Sequence, residues 1–245
     1  MSLIDTIVKG EIHFIQVKDV EILALRLDEE RKNPSSHESR FLKACCLMYG
    51  KCIDKDTKLA FQLFKELLVE GYIAAKYYLA CLFLDSDDID KNPEQAFLLT
   101  SQSAETDHIQ AIINLAGFYW NGNCIPTNKE IAVHWMKRAL EISPDYPIAL
   151  HQLAIALWSG VGIEMDKERA IKMYLQAAEK KHFPSAKSLS IIAGDYIKGT
   201  RGLEKNKEKG GEILFKLIQM RYDFAMHQLY KYGQDGDFPM EMIYS

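Results

Sequence analysis

Residues 149–178 read ALHQLAIALWSGVGIEMDKERAIKMYLQAA, two amphipathic patterns separated by a glycine-containing loop. Small and large apolar residues recur at offsets of three to five on each side of the loop, as on one face of a helix. Gly160 ends the first helix because glycine adopts a left-handed backbone without steric cost. Asp166 suits the N-cap of the second helix because its side-chain oxygen accepts amide hydrogens of the first turn. The stretch predicts a helical hairpin.

The same pattern occurs five times, about every 37 residues, as in stacked helix pairs. Glycine follows the central alanine of the first helix by six residues in four copies, and Asp or Asn precedes a second alanine by four residues in four copies. The fifth copy is predicted to be two residues longer, with Asn206 as the cap and Gly211 in place of the alanine. A sixth first helix is predicted between Ala225 and Gly236. The five central alanines are Ala44, Ala80, Ala116, Ala154 and Ala193.

The repeat predicts an all-α fold, a right-handed alpha-alpha superhelix or solenoid of helix-turn-helix repeats. Residues 1–36 do not match the repeat and are predicted to form an N-terminal helical cap, since solenoids need their terminal faces shielded. Ser35 and Glu38 form a capping-box pattern ahead of the first repeat. The solenoid is predicted over 37–245, with repeats at approximately 37–72, 73–108, 109–146, 147–185 and 186–222 and a partial repeat at 223–245.

The repeated residues resemble the Sel-one-like repeat family, a relative of the tetratricopeptide repeat with a longer loop between its helices. The resemblance covers residues 37 to about 236, and repeat two departs from it, with acidic residues where the loop glycines should be. It implies a scaffold or adaptor for protein partners, including bacterial proteins that contact host proteins, and it implies no catalysis. The fourth copy matches best, through Ala149, Leu153, Ala154, Gly160, Val161, Gly162, Ile163, Asp166, Ala170 and Tyr174.

Charge, cysteine content and the lack of targeting segments restrict the expected partners and cellular compartment. The formal net charge is −4, from 30 basic and 34 acidic residues, which gives no broad attraction to nucleic acid. The N-terminus lacks the pattern of a cleaved signal, and no apolar run is long enough for a membrane span. Five cysteines without a CxxC pair argue against a disulfide framework or a zinc site. These features predict a protein of the cytoplasm, or one secreted without a cleaved signal peptide.

If the first helices line the inner curve, as in tetratricopeptide repeats, the groove positions lie three before, one after and four after each central alanine. Aromatic and methionine side chains are enriched at interfaces. We therefore predict a groove for an apolar helix or extended peptide; the alternative is that these side chains pack against the neighbouring helix pair. The predicted groove residues are Phe41, Met48, Tyr77, Leu84, Ile113, Trp120, His151, Ile155 and Trp158.

No motif predicts a catalytic, cofactor or metal site, and no small-molecule substrate is expected. The acidic stretch from Asp85 to Asp90 lacks the glycine and glutamate of a calcium loop, and the seven histidines show no metal-ligand spacing. A Cys-His nucleophile pair stays open because its partners meet in space. Two alternatives to a scaffold therefore remain: an enzyme with a site hidden in the solenoid, and a translocated bacterial effector that captures a host protein.

Overall fold

The computed structural model describes residues 36–237, and this range contains eleven α-helices and no strand. The chain divides into two units, 1–142 and 143–245. The predicted cap over 1–36 lies outside the described residues except for Ser36. Unit 1 contains α1 (His37–Tyr49), α2 (Thr57–Val69), α3 (Ala75–Asp85), α4 (Pro93–Ala104), α5 (Ile109–Asn121) and α6 (Lys129–Ile142). Unit 2 contains α7 (Pro147–Ser159), α8 (Lys167–Glu179), α9 (Phe183–Lys198), α10 (Lys207–Gln219) and α11 (Asp223–Gln234).

Within each unit, every helix packs against the next helix in the sequence. Each repeat contributes a hairpin of a first helix (α1, α3, α5, α7, α9) and a second helix (α2, α4, α6, α8, α10), and α11 is the first helix of the sixth copy. The predicted all-helical fold of successive hairpins is confirmed. Among residues 36–237, no helix combines the length and apolar character needed to cross a membrane.

Small residues form the seam between the helices of each hairpin. The central alanines of the first helices and the recurrent alanines of the second helices are fully buried. A methyl group at these sites lets neighbouring backbones approach closely, toward the lower end of the roughly 8 to 10 Å range of helix packing. The buried alanines of the second helices are Ala60, Ala96, Ala132 and Ala170.

The loop within each hairpin is fixed by its cap residue in two ways. The side-chain oxygen of the cap accepts the amide hydrogen of the residue three positions ahead, at 2.9 Å in all five repeats. The backbone amide of the same residue donates to a carbonyl near the end of the first helix, at 2.7 to 3.0 Å. The predicted caps are therefore confirmed, and they are Asp56, Asn92, Asn128, Asp166 and Asn206.

The predicted glycine helix ends are confirmed in repeats one, three, four and five. Gly50, Gly122, Gly160 and Gly199 adopt left-handed backbones with φ between 65° and 77°. A Cβ added to Gly122 would lie 2.6 Å from Cγ2 of Thr127, so a side chain there would also have to displace that methyl group. In repeat two, α3 ends without a left-handed residue.

The N-cap of α1 is Ser36, whose side chain accepts the amide hydrogen of Ser39 at 3.0 Å. The predicted capping box includes Ser35, which lies outside the described residues. One detail of the predicted pattern is wrong by one residue. In the fifth repeat, Gly210 and not Gly211 lies four residues after the cap. A Cβ at Gly210 would lie 2.6 Å from the carbonyl oxygen of Ala193. Close contact between α9 and α10 explains the glycine.

Candidate partner-binding surface

The nine predicted groove residues lie on the first helices, but the structure does not expose them equally. Phe41, Tyr77 and Ile113 are buried, with at most 5% of their surface exposed. Ile155 is exposed. The others are half-buried, namely Met48, Leu84, Trp120, His151 and Trp158. Unit 1 carries the residues up to Trp120, and unit 2 carries the remaining three.

Ring contacts cover three of the side chains that lie three positions before a central alanine, namely Phe41, Tyr77 and His151. Each contact joins such a residue to an aromatic or histidine ring 31 residues further along, in the turn before the next first helix. We call these contacts junction pairs. Their ring centroids are 4.6 to 5.3 Å apart, and the pairs are Phe41 with Tyr72, Tyr77 with His108, and His151 with His182.

The junction pairs were not predicted from the sequence, although a signal for them exists. A ring-bearing residue follows the second-helix cap by sixteen positions in four repeats, at Tyr72, His108, His182 and Tyr222. The same turns place a left-handed residue directly before the ring, at Gly71, Asp107, Lys181 and Arg221. Because Phe41 and Tyr77 pack in this way, they form the support of the first-helix surface and not its exposed part.

The two predicted groove tryptophans are each covered on one face by a lysine of their own hairpin. Lys129 Nζ lies 4.5 Å from the ring centroid of Trp120, and Lys167 Nζ lies 5.5 Å from that of Trp158. Both lysines are the first residue of the second helix. Such cation–π contacts are worth about 0.5 to 1 kcal/mol at exposed sites. They hold each indole at the end of its first helix, half-buried.

An open cleft of about 420 Å³ lies among the first helices of repeats one to three, within unit 1. Its walls contain two of the predicted groove residues, Met48 and Tyr77. Cys81, which lies one residue after the central alanine of α3, also lines it. The remaining lining is mostly polar and comes from Tyr49, Lys55, Thr57, Leu82, Asp85, Ser86, Gln110 and Asn114.

Burial keeps the thiol of Cys81 and the phenol of Tyr49 uncharged at neutral pH. Burial raises the pKa of Cys81 to about 12, against a hydrogen bond with Tyr77 that lowers it, and Asp85 raises it further. Burial also raises the pKa of Tyr49. A thiol with so high a pKa is a poor nucleophile, because the thiolate is the reactive form. The cleft therefore offers hydrogen-bonding and apolar contacts rather than an activated cysteine.

Within residues 36–237, no three His, Cys, Asp or Glu side chains are arranged to hold a metal ion.

Hairpins packed in sequence order along an alanine seam, with capped loops and ring contacts between repeats, define an all-helical repeat protein of the solenoid class. The sequence matches the Sel1 repeat family over residues 40–67, 73–108, 109–142 and 147–182, more than half of its length, and the chain belongs to that family. The family predicted from the sequence is thus confirmed. The matched residues comprise the first four repeats.

Solved structures share the fold at low sequence identity. The chain is similar to c5321, a protective antigen of uropathogenic Escherichia coli with an SLR fold, at TM-score 0.68 and 21% identity over 89% of this chain, and it spans 44% of that protein. It is also similar to a Sel1 repeat protein from Oxalobacter formigenes, at TM-score 0.60 and 22% identity over 76% of this chain and 72% of that one. The immunity protein Pa5087 from Pseudomonas aeruginosa matches at TM-score 0.50 and 15% identity, over 82% and 73% of the two chains. No curated protein matches the chain.

Proposed function

We propose that this protein is a scaffold for protein partners and that the cleft of unit 1 receives a segment of one partner. The observation that carries the proposal is the open cleft of about 420 Å³ among α1, α3 and α5. Binding pockets of roughly 300 to 1,000 Å³ are typical for compact ligands and anchoring side chains. Membership of the Sel1 repeat family supports a protein partner rather than a metabolite.

The chemistry of the cleft favours an apolar anchor within a peptide backbone. Met48 and Cys81 are half-buried and offer polarisable, adaptable surface to a partner side chain. Asn114, also half-buried, presents an amide that can both donate to and accept from a peptide group. The polar rim, including Asp85 and Lys55, sets the register of the partner more than its affinity, because rim charges remain solvated.

Besides Cys81 and Asn114, the proposed contact residues come from the predicted groove. In unit 1 they are Met48, which lines the cleft, and the half-buried Leu84 of α3 and Trp120 of α5, which are not among its lining residues. In unit 2 they are Ile155, which is 38% exposed, and the half-buried Trp158, both on α7. Aromatic and methionine anchors of this kind carry most of the energy of an interface.

The test is a pair of matched substitutions, Met48→Arg and Leu98→Arg. Met48 lines the cleft, whereas Leu98 is an exposed residue of the second helix α4, outside the cleft lining. A photo-crosslinking amino acid at Leu84 identifies the partner in the cell of origin by mass spectrometry. We expect Met48→Arg to weaken binding of that partner at least tenfold, about 1.4 kcal/mol. Leu98→Arg should leave binding unchanged, and equal binding by both variants would exclude the cleft.

Catalysis is not part of the proposal. Burial raises the pKa of Cys46 to about 12 and raises that of Cys45 well above its ordinary value. Protonated, buried thiols pack as small apolar groups. An effector that captures a host protein would use the same cleft, and the crosslinked partner would distinguish it from a scaffold working in its own cell.

A further inference from the structure

A serine hydroxyl lies between two histidine rings inside unit 2. Ser185 Oγ is 2.9 Å from Nδ1 of His151 and 2.8 Å from Nδ1 of His182. His151 belongs to α7, whereas His182 and Ser185 lie at the start of α9. Ser185 is fully buried, and the two rings are 4.9 Å apart. The cluster therefore joins the first helices of repeats four and five.

The number of hydrogens in this cluster limits how both of its hydrogen bonds can be made. A serine hydroxyl carries one hydrogen, so it donates to one Nδ1 and accepts a hydrogen from the other. The ring that accepts the hydroxyl hydrogen must then be neutral. Protonation of the accepting ring turns its Nδ1 into a donor, and the hydroxyl hydrogen of Ser185 loses its acceptor. A buried hydroxyl without an acceptor costs roughly 1 to 3 kcal/mol.

The surroundings of the rings do not compensate a positive charge. The pKa of His151 is lowered to about 4, first because burial penalises the cation and second because His182 lies beside it. Burial also lowers the pKa of His182. From α8, Tyr174 faces His151 with ring centroids 5.4 Å apart, and its hydroxyl is bonded to Ser188 of α9.

The charged groups of the flanking segments have partners of their own. Lys180 pairs with Asp145 at 2.8 Å. Lys181 Nζ donates to the carbonyl oxygen of Met220 at 2.6 Å and lies over the ring of Tyr222, in the turn between α10 and α11. Lys187 of α9 lies 5.0 Å from the ring of Phe183. Within residues 36–237, the described side-chain hydrogen bonds of His151, Ser185 and His182 are made within the cluster itself.

We propose that His151, Ser185 and His182 form an acid-sensitive joint, in which protonation of the rings releases the first turn of α9 from α7. A histidine whose pKa is lower in the folded state than in the unfolded state favours folding when it is neutral. Its contribution to stability is therefore complete above the ordinary pKa near 6.5. That contribution is lost as the pH falls from 6.5 toward 4. The joint is therefore closed at neutral pH and opens in mildly acidic conditions.

Hydrogen exchange of the full chain at pH 7.5 and pH 5.0, corrected for intrinsic rates, tests the proposal. In the native chain we expect amides of residues 183–190 to lose about tenfold in protection at pH 5.0. His151→Tyr, which copies the tyrosine of the equivalent position in repeat two, should reduce this loss to less than threefold. The matched control is His227→Asn, because His227 is an exposed histidine of α11 in the same unit. Equal losses in His151→Tyr and in the control would overturn the proposal.

A second measurement decides the matter without any variant. Exchange at the C2 position of each histidine ring, followed by mass spectrometry across a pH series, gives the titration of every histidine in the native chain. We expect His151 and His182 to titrate below the ordinary histidine value near 6.5. Titration of both at the ordinary value near 6.5 would show that the rings are not held as neutral partners of Ser185.

Discussion

Tyr77 and His151 occupy equivalent positions in repeats two and four, and each contacts a histidine 31 residues further along the chain. Tyr77 is buried and stacks on His108, with ring centroids 4.6 Å apart at 29°. His151 is half-buried, tilts against His182 and shares a serine hydroxyl with it. His108 Nδ1 caps α5 by accepting the amide hydrogen of Ala111 at 3.2 Å, whereas His182 makes no such bond.

The repeat therefore determines which two positions are in contact, but it does not determine which side chains occupy them. In the Tyr77–His108 pair of unit 1, one member is a tyrosine ring that is buried in the core. In unit 2 both members are histidines, so the same contact depends on their protonation. The same backbone pattern thus supports a contact that contains a tyrosine in repeat two and a pH-dependent contact between two histidines in repeat four.

The largest expected effect separates the two junctions by stability. Tyr77→Ala should lower the free energy of unfolding by about 3 to 5 kcal/mol, because it leaves a cavity in a packed aromatic cluster. His151→Ala should cost only about 1 to 2 kcal/mol, because the ring is half-buried and makes one described hydrogen bond. Urea denaturation, followed separately in each unit by hydrogen exchange, measures both. Equal losses in the free energy of unfolding would contradict the difference between the two junction pairs.

A second substitution transfers the titratable chemistry to unit 1. Tyr77→His places an imidazole against His108 in a buried site, where burial penalises its charged form and lowers its pKa. The folded state then loses stability as the pH falls below about 6.5. The melting temperature should drop by about 2 to 4 °C more between pH 7.5 and 5.0 than in the native chain, corresponding to roughly 1 kcal/mol. An unchanged pH dependence would show that burial at this site does not control titration.

The smallest expected effect concerns the turn before each junction ring. Gly71 has a φ of 87°, and a Cβ there would meet nothing within 4 Å. The equivalent turns carry Asp107 and Lys181 with φ of 58° and 62°. Gly71→Asn should therefore change the free energy of unfolding by less than about 1 kcal/mol, since asparagine tolerates the left-handed region. Thermal denaturation checks it, and a larger loss would mean that this turn differs from the others.

Local features were predictable because they rest on interactions within one hairpin. The caps at Asp56 and Asp166 and the helix-ending Gly160 follow from hydrogen bonds between residues close in sequence. The error at Gly211 was an offset of a single residue, because adjacent glycines satisfy the same pattern equally well. Which of them is used depends on packing: Gly210 faces the Ala193 carbonyl, as the geometry of α9 and α10 requires.

The candidate surface was predictable in its location but not in its accessibility. Periodicity placed Phe41 and Met48 on the same helix face, and both were predicted to contact a partner. Only the stacking of the next hairpin distinguishes them, because Tyr72 covers Phe41 while Met48 lines the open cleft. The cleft itself includes side chains from three repeats, so no single repeat contains its pattern.

By itself the sequence determined the helical hairpins, their alanine seam, their capped loops and the family. Those features are encoded by the spacing of small, apolar and capping residues over about 37 positions. Only the tertiary structure decided which groove side chains are exposed and that His151 meets Ser185 and His182. The physical reason is that burial and ring contacts depend on the distance between side chains of successive hairpins, which periodicity along the chain does not specify.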